Sequence, residues 1–282
     1  MNEITVKAPA KLNLFLEVGE RMADGYHKIE SIMQSVTLFD TLTVKKTEHG
    51  ITFGCSNKKL EYGGNLAVSA AKLFFEQSGI KGGADVYLQK KIPVSAGLGG
   101  GSSDAAAVLR ALNTLYGEPF SADELLKMGK KLGADVPFCI KRGLCRAYGI
   151  GEVLEDLPPL PRCVFAVAKG STTVSTKEAF EILDGHGKRQ IKSSDDITEM
   201  INKGDINGVC AGLYNAFEIN GKCDDNIKRI MMKNNAYNAL MSGSGPSVFG
   251  IFKDEADANS AAKELKAENY ECFVCTPEEN RP

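Results

Sequence analysis

A chain of 282 residues holds enough apolar side chains for two hydrophobic cores, so a small disulfide-stapled module is excluded. Hydrophobic residues at 43% and charged residues at 25% exclude wholesale disorder and a fibrous repeat. Lys and Arg number 34 against 36 Asp and Glu, a formal net charge of −2, so no overall positive field draws the chain to nucleic acid or an anionic membrane, and any anion site must be local.

In chain order, residues 4–18 read as extended structure broken by a turn at Ala8-Pro9-Ala10. Residues 31–44 read as one or two more strands, with Val36, Leu38 and Leu42 on one parity, and Gly25 marks the turn between. After a Gly63-Gly64 breaker, the spacing of Leu66, Ala70, Leu73 and Phe74 predicts an amphipathic helix over 65–77. A strand over 85–94 carries Val86, Leu88 and Ile92 on one face and runs into a glycine cluster at 97–101. Ala- and Leu-rich residues 105–116 are helical, with Gly117 as the stop. Ser121 and Glu124 have capping-box spacing and open a helix that Gly133 closes, and a strand begins near Asp135.

Leu157-Pro158-Pro159-Leu160-Pro161 is the clearest linker and divides an N-terminal domain, 1–156, from a C-terminal domain, 157–282. Beyond it come a strand over 163–168, a polar excursion over 186–196 and helices over 203–217 and 224–234. A second glycine turn then leads into a strand over 247–252, a helix over 255–268 and a loose tail over 277–282. There is no internal repeat.

Eight cysteines spread over the whole chain suit neither a disulfide framework nor a paired zinc motif, and buried thiols in a reducing compartment are expected. Cys272 and Cys275 have CxxC spacing but fall in a strand-like run, which argues against redox chemistry. No apolar run reaches the roughly 18 residues of a membrane span and the start of the chain lacks a signal-peptide pattern, so a cytoplasmic protein is expected.

Four constellations carry candidate chemistry. The loop from Gly97 to Ser103 joins a strand to a helix, so its amides and the helix dipole suit phosphate oxygens. It matches neither the P-loop nor the dinucleotide fingerprint, and the alternative is a tight strand-to-helix turn. Lys11 stands alone in an otherwise strand-like apolar stretch, either functional or on a solvent face. Asp135 follows a helix end and precedes Pro137, either catalytic or a turn residue. The turn Ser242-Gly243-Ser244-Gly245-Pro246-Ser247 offers amides that bind a second anion or brace the first loop.

Taken together, Pro9-Ala10-Lys11-Leu12-Asn13-Leu14, Asp24-Gly25-Tyr26-His27, the run Gly97 to Ala106, Gly133-Ala134-Asp135-Val136-Pro137-Phe138 and the turn at 242–247 closely resemble one family. It is the 4-diphosphocytidyl-2-C-methyl-D-erythritol kinase family, within the GHMP kinases. The resemblance spans nearly the whole chain; the glycine loop alone gives the superfamily, and the Tyr26-His27 turn with the Gly-Ala-Asp-Val-Pro segment gives the member.

The resemblance implies a two-lobed α+β fold, with a left-handed βαβ unit in the N-terminal lobe, a C-terminal α/β sandwich and the active site in the cleft. It implies ATP as phosphoryl donor, magnesium (Mg2+) as the divalent cation, and phosphorylation of the 2-hydroxyl of the cytidine-diphosphate-linked methylerythritol, a step towards isoprenoid precursors. On this footing Pro93, Val94, Ser95, Ala96, Gly97, Leu98, Gly99, Gly100, Gly101, Ser102 and Ser103 hold ATP, with Asn65 and Lys91 towards adenosine. For the Lys90-Lys91 pair a solvated strand edge is the alternative. Lys11 and Asp135 are the catalytic pair, Asp135 either taking or orienting the proton of the acceptor hydroxyl. Asn13 contacts the polyol, and Tyr26, His27 and Phe180 form the cytosine pocket. Ser103 and Asp104 contact magnesium or cap the helix; both readings stand. The expected partners are small molecules, with no nucleic acid or membrane, in a monomer or weak homodimer. Competing expectations are a GHMP kinase for another alcohol, such as homoserine or mevalonate, and a nucleotide sensor that has lost catalysis.

Overall fold

A computed structural model of the chain describes residues 1–23, 25–61, 64–171, 175–187, 190–221 and 223–278. Asp24 of the Asp-Gly-Tyr-His motif, Gly63 of the breaker, Val174, two positions of the polar excursion and the last four residues of the tail lie outside the described residues. The chain packs as two compact units interleaved in sequence, Met1–Ala10, Leu38–Val94 and Gly99–Lys141 in the first, Lys11–Thr37, Ser95–Leu98 and Arg142–Pro282 in the second. The interleaving arises because two long strands, β1 (Glu3–Arg21) and β2 (His27–Thr47), each contribute residues to both units. A single cut at 156/157 does not reproduce these units.

The first unit holds β3 (Gly50–Cys55), α1 (Leu66–Ser78), β4 (Gly83–Gln89), α2 (Gly100–Leu115), α3 (Ala122–Leu132) and α4 (Val136–Lys141). Its strands run in the order β3-β4-β2-β1. β3 and β4 are parallel and joined through α1, the βαβ connection the resemblance implies. α2 is buried on most of its surface, with Ala105, Ala106, Ala107, Leu109, Ala111 and Leu112 in the core. The capping box forms as expected, Ser121 Oγ accepting from the Glu124 amide while Glu124 Oε2 accepts from the Ser121 amide at 2.8 Å.

The second unit holds β5 (Leu144–Tyr148), β6 (Val153–Asp156), β7 (Val164–Lys169), α5 (Thr176–Gly185), α6 (Asp195–Lys203), α7 (Ile206–Ala211) and β8 (Tyr214–Asn215). It continues with α8 (Asp225–Lys233), β9 (Asn238–Met241), β10 (Ser247–Phe252), α9 (Glu255–Ala267) and β11 (Glu271–Cys275). Its own sheet has the order β11-β7-β10-β9, and a core of Val164, Ala166, Ile227, Met231, Val248, Phe252 and Leu265 lies between that sheet and its helices.

Several local expectations change. β1 runs unbroken through Pro9; β8 pairs only with Phe15 and Leu16, so beside Pro9 the missing N–H costs no bond to that strand. Residues 31–44 belong to one strand rather than two. β4 stops at Gln89 because the Asp40 carboxylate captures the amides of Lys91 and Ile92, the latter at 2.8 Å. α2 begins at Gly100, five residues before expectation. The apolar residues after Asp135 form α4, not a strand, with Pro137 in its first turn, where a missing N–H costs nothing. The helix expected over 203–217 is broken into α6, α7 and β8, because Gly204 takes the left-handed conformation at φ 67° and Asp205 caps a new helix. The tail is anchored at its start, Val36 bridging Pro277 and the Glu278 amide donating to Ser35 O at 2.7 Å.

Candidate active site

The glycine turn is held by its carbonyls. Ala96 O accepts from the Ser247 amide at 3.3 Å, Gly97 O from Ser242 Oγ at 3.1 Å and Leu98 O from the Lys11 amide at 2.9 Å. The later Gly-Ser turn therefore braces the first loop. Gly97 has φ 73°, and a Cβ there would stand 2.2 Å from Ser242 O, so no other residue fits. Gly99, at φ 67°, is the N-cap of α2, which leaves the amides of Gly100, Gly101 and Ser102 without intrahelical partners at the positive end of a helix dipole. The Ser103 amide is already bound to Gly99 O at 2.9 Å, so the cradle is shorter by one donor than the sequence suggested.

Lys11 is buried rather than on a solvent face, and its Nζ donates to Asn13 Oδ1. A Cβ on Gly243 would lie 3.3 Å from that Nζ, which places the ammonium beside the second glycine turn. Asn13 Nδ2 donates to Ser31 Oγ at 2.9 Å, and Ser31 Oγ passes the chain on to Phe15 O at 2.7 Å. Both ends of the Asn13 carboxamide are thus engaged within the protein. Asn215, unremarked in the sequence, fixes the second turn through Nδ2 bonds to Met241 O at 2.7 Å and Gly243 O at 2.8 Å.

Asp135 belongs to the first unit and is half-buried, its carbonyl accepting from the Cys139 amide at 3.1 Å at the start of α4. Asn65 caps α1: Oδ1 accepts from the Ala67 amide at 2.9 Å and Nδ2 donates to Leu60 O at 3.2 Å. Of the remaining ATP-segment positions, Pro93, Ala96 and Leu98 are buried, whereas Lys91, Val94 and Ser95 are exposed.

In the second unit Tyr26 is 58% exposed while His27 beside it is 8% exposed. The imidazole stacks on Phe180, centroids 4.8 Å apart and planes within 16°, and Phe180 in turn meets Phe217 edge-on at 5.0 Å. Phe180 therefore does lie at the Tyr26-His27 turn. His27 Nε2 is 2.8 Å from Asp184 Oδ1, a partner the sequence did not announce.

Lys90 is not on a solvated edge. Its side chain is 8% exposed and its ammonium bridges Asp40 Oδ2 and Asp104 Oδ2, the latter at 2.8 Å. Burial, against the pull of Lys90, pushes the Asp104 carboxyl up to about 7. Asp104 Oδ1 and Ser103 Oγ are buried without a hydrogen-bond partner among the described residues. Neither residue caps α2, whose N-cap is Gly99. Lys90 already supplies the cation that Asp104 Oδ2 faces, which leaves Asp104 Oδ1 and Ser103 Oγ as the atoms a magnesium ion would have to use. Among the described residues no group of three or more His, Cys, Asp or Glu could hold a metal ion.

All eight cysteines are free thiols, and burial pushes Cys272 up to about 11 and Cys275 to about 12, far from a reactive thiolate. Among the described residues no helix is long and apolar enough to cross a membrane.

Comparison with known proteins matches the GHMP kinases N terminal domain to residues 65–143 and the GHMP kinases C terminal domain to residues 201–272. A 4-diphosphocytidyl-2-C-methyl-D-erythritol kinase of Caldicellulosiruptor saccharolyticus is 40% identical over 281 residues, covering 98% of this chain and 97% of its own. One of Lachnoclostridium phytofermentans is 41% identical over 276 residues, covering 96% and 95%. A crystal structure of 4-(cytidine 5'-diphospho)-2C-methyl-D-erythritol kinase superposes with a TM-score of 0.81 at 32% identity, covering 98% of this chain and all of that one. Full-length identity of this size, together with both domains of one fold, leaves a single assignment: the chain is an ATP-dependent small-molecule kinase of the 4-diphosphocytidyl-2-C-methyl-D-erythritol kinase family, within the GHMP kinases.

Proposed function

We propose that this chain transfers the γ-phosphoryl group of ATP to the 2-hydroxyl of 4-diphosphocytidyl-2-C-methyl-D-erythritol, giving the 2-phosphate and ADP in the methylerythritol phosphate route to isoprenoid precursors. The observation that carries the reading is Lys11: a buried ammonium held by Asn13 beside the turns at Gly97 and Gly243. Phosphoryl transfer needs positioning and charge neutralisation more than covalent help, and a fixed cation beside glycine turns supplies both.

The roles follow the family resemblance. The amides of Gly100 to Ser102 and the segment from Pro93 take the phosphates, Lys11 neutralises the transferring group, and Asp135 orients the acceptor hydroxyl and receives its proton as the new P–O bond forms and the bond to ADP breaks. Asn13 accepts from Lys11 and donates to Ser31, and its second Nδ2 hydrogen is the one this reading assigns to the polyol. Lys91 and Asn65 lie towards adenosine, with Asn65 acting through the start of α1 that it caps. Tyr26 and Phe180 flank the cytosine, and His27 reads its edge. Residues 1–156 serve ATP and 157–282 complete the substrate side. Magnesium belongs to this reading as the counter-ion carried by the nucleotide's own phosphates. The chain works in the cytoplasm as a monomer or weak homodimer.

A coupled ADP assay with the cytidine-linked methylerythritol, homoserine and mevalonate tests the assignment. ADP release with the first alone is expected; equal or greater release with either other alcohol overturns it.

A further inference from the structure

α5 carries Phe180 and Asp184 four residues apart, hence on one face, and that face meets His27 from 157 residues earlier in the chain. The helix is firmly set. Ser175 Oγ caps it through the Glu178 amide at 3.1 Å, and Ala179 and Leu183 on the neighbouring stripe are buried in the core. His27, at the first position of β2, is clamped on its face by one α5 side chain and on its edge by another.

We infer that Asp184 is a specificity-positioning residue: it sets the tautomer of His27 so that the other ring nitrogen accepts a hydrogen bond, which selects a 4-aminopyrimidine over a 4-oxopyrimidine base. This rests on the reading that His27 faces the base. An ionised carboxylate only accepts, so the nitrogen 2.8 Å from Asp184 Oδ1, Nε2, carries the hydrogen. In the neutral ring the lone pair is then on Nδ1, which makes no hydrogen bond among the described residues. Cytosine presents a donor at its 4-amino group, and uracil presents an acceptor at the same place. A lone pair facing the amino group makes a bond; facing the 4-oxo group it leaves two acceptors opposed, one of them desolvated. A base bonded in the plane of the imidazole also lies within 16° of parallel to the Phe180 ring, so edge recognition and stacking are compatible in one pose.

With the tautomer reversed, the Nε2 lone pair would oppose the carboxylate oxygen and the bond would be lost, so the inference can be tested without substrate. In protein labelled with 15N-histidine, the His27 resonances should show Nε2 protonated and Nδ1 bare. A protonated Nδ1 in the neutral ring overturns the inference.

The functional arm compares kcat/KM for the cytidine-linked substrate with its uridine-linked analogue. Asp184→Ala should lower the cytidine-over-uridine ratio on the order of tenfold, the size of one lost hydrogen-bonding match. Asp184→Asn keeps an acceptor oxygen and should restore part of the ratio. If His27→Ala collapses the ratio but Asp184→Ala leaves it at the wild-type value, the positioning role is wrong and the base reading survives. If His27→Ala also leaves it unchanged, the base reading itself has failed and this inference falls with it.

Discussion

Among the described residues, the side chains of Lys11 and Lys90 are both withdrawn from solvent, and they stand in different surroundings. Lys90, in the first unit, bridges two carboxylates, Asp40 and Asp104, and Asp40 uses its second oxygen on the amides of Lys91 and Ile92. It ties the end of β4 to the first turns of α2. Lys11, in the second unit, donates to the Asn13 carboxamide and stands beside the second glycine turn, where a Cβ on Gly243 would lie 3.3 Å from its Nζ. A charge clamped between two carboxylates at a strand end and a helix start ties those elements together; a charge set beside a glycine turn is placed where an anionic ligand could reach it. Burial alone does not separate these roles, but the surrounding backbone does: a strand end and a helix start around Lys90, a glycine turn beside Lys11.

The largest effects should fall on opposite observables. Lys11→Met is expected to cut kcat by about 10²–10³, measured by ADP release, while urea unfolding shifts far less than for the other lysine. Lys90→Met strands two carboxylates in the interior and should cost about 3–5 kcal/mol of unfolding free energy. If Lys90→Met were the variant that spares stability, the contrast would be broken.

Asp104→Asn sharpens the contrast through pH. The folded carboxyl is pushed up to about 7, above its ordinary value near 3.8, so the native state holds a proton that the unfolded chain releases. Its stabilising contribution is complete below about 4 and is lost as pH rises through about 7. The asparagine variant, permanently neutral and still able to accept from Lys90, should show a smaller fall in stability between pH 4 and pH 7, read from urea midpoints. An unchanged pH slope would show that Asp104 titrates normally. The smallest effect serves as the scale: Ser121→Ala, at a cap touching neither lysine, should cost about 1 kcal/mol in urea unfolding and leave kcat alone.

What could be read from the sequence was local. The capping box, the glycine turn and the isolated Lys11 each announce themselves within a few residues, because caps, positive φ and a charge in an apolar strand are properties of neighbours. What stayed hidden was non-local. Lys90 and Asp104 are 14 residues apart, and Asp40 lies 50 residues before Lys90; only the fold brings the three together. Asp184 looked like any helix-end acid until β2 delivered His27 to it. The short apolar run after Asp135 fits a strand or a helix by pattern, and its packing against α2 and α3 decides for the helix. The glycines at 99–101 disfavour a helix interior, yet the first turn of a helix tolerates them.

The most direct trial of the central claim, phosphoryl transfer with Lys11 and Asp135 as the working pair, is the steady-state rate of ADP release by Asp135→Ala with the cytidine-linked methylerythritol and ATP, alongside the affinity of that variant for the cytidine-linked ligand. A fall in turnover of about 10²–10⁴ with affinity largely kept is the predicted result. Turnover at the wild-type rate would contradict it.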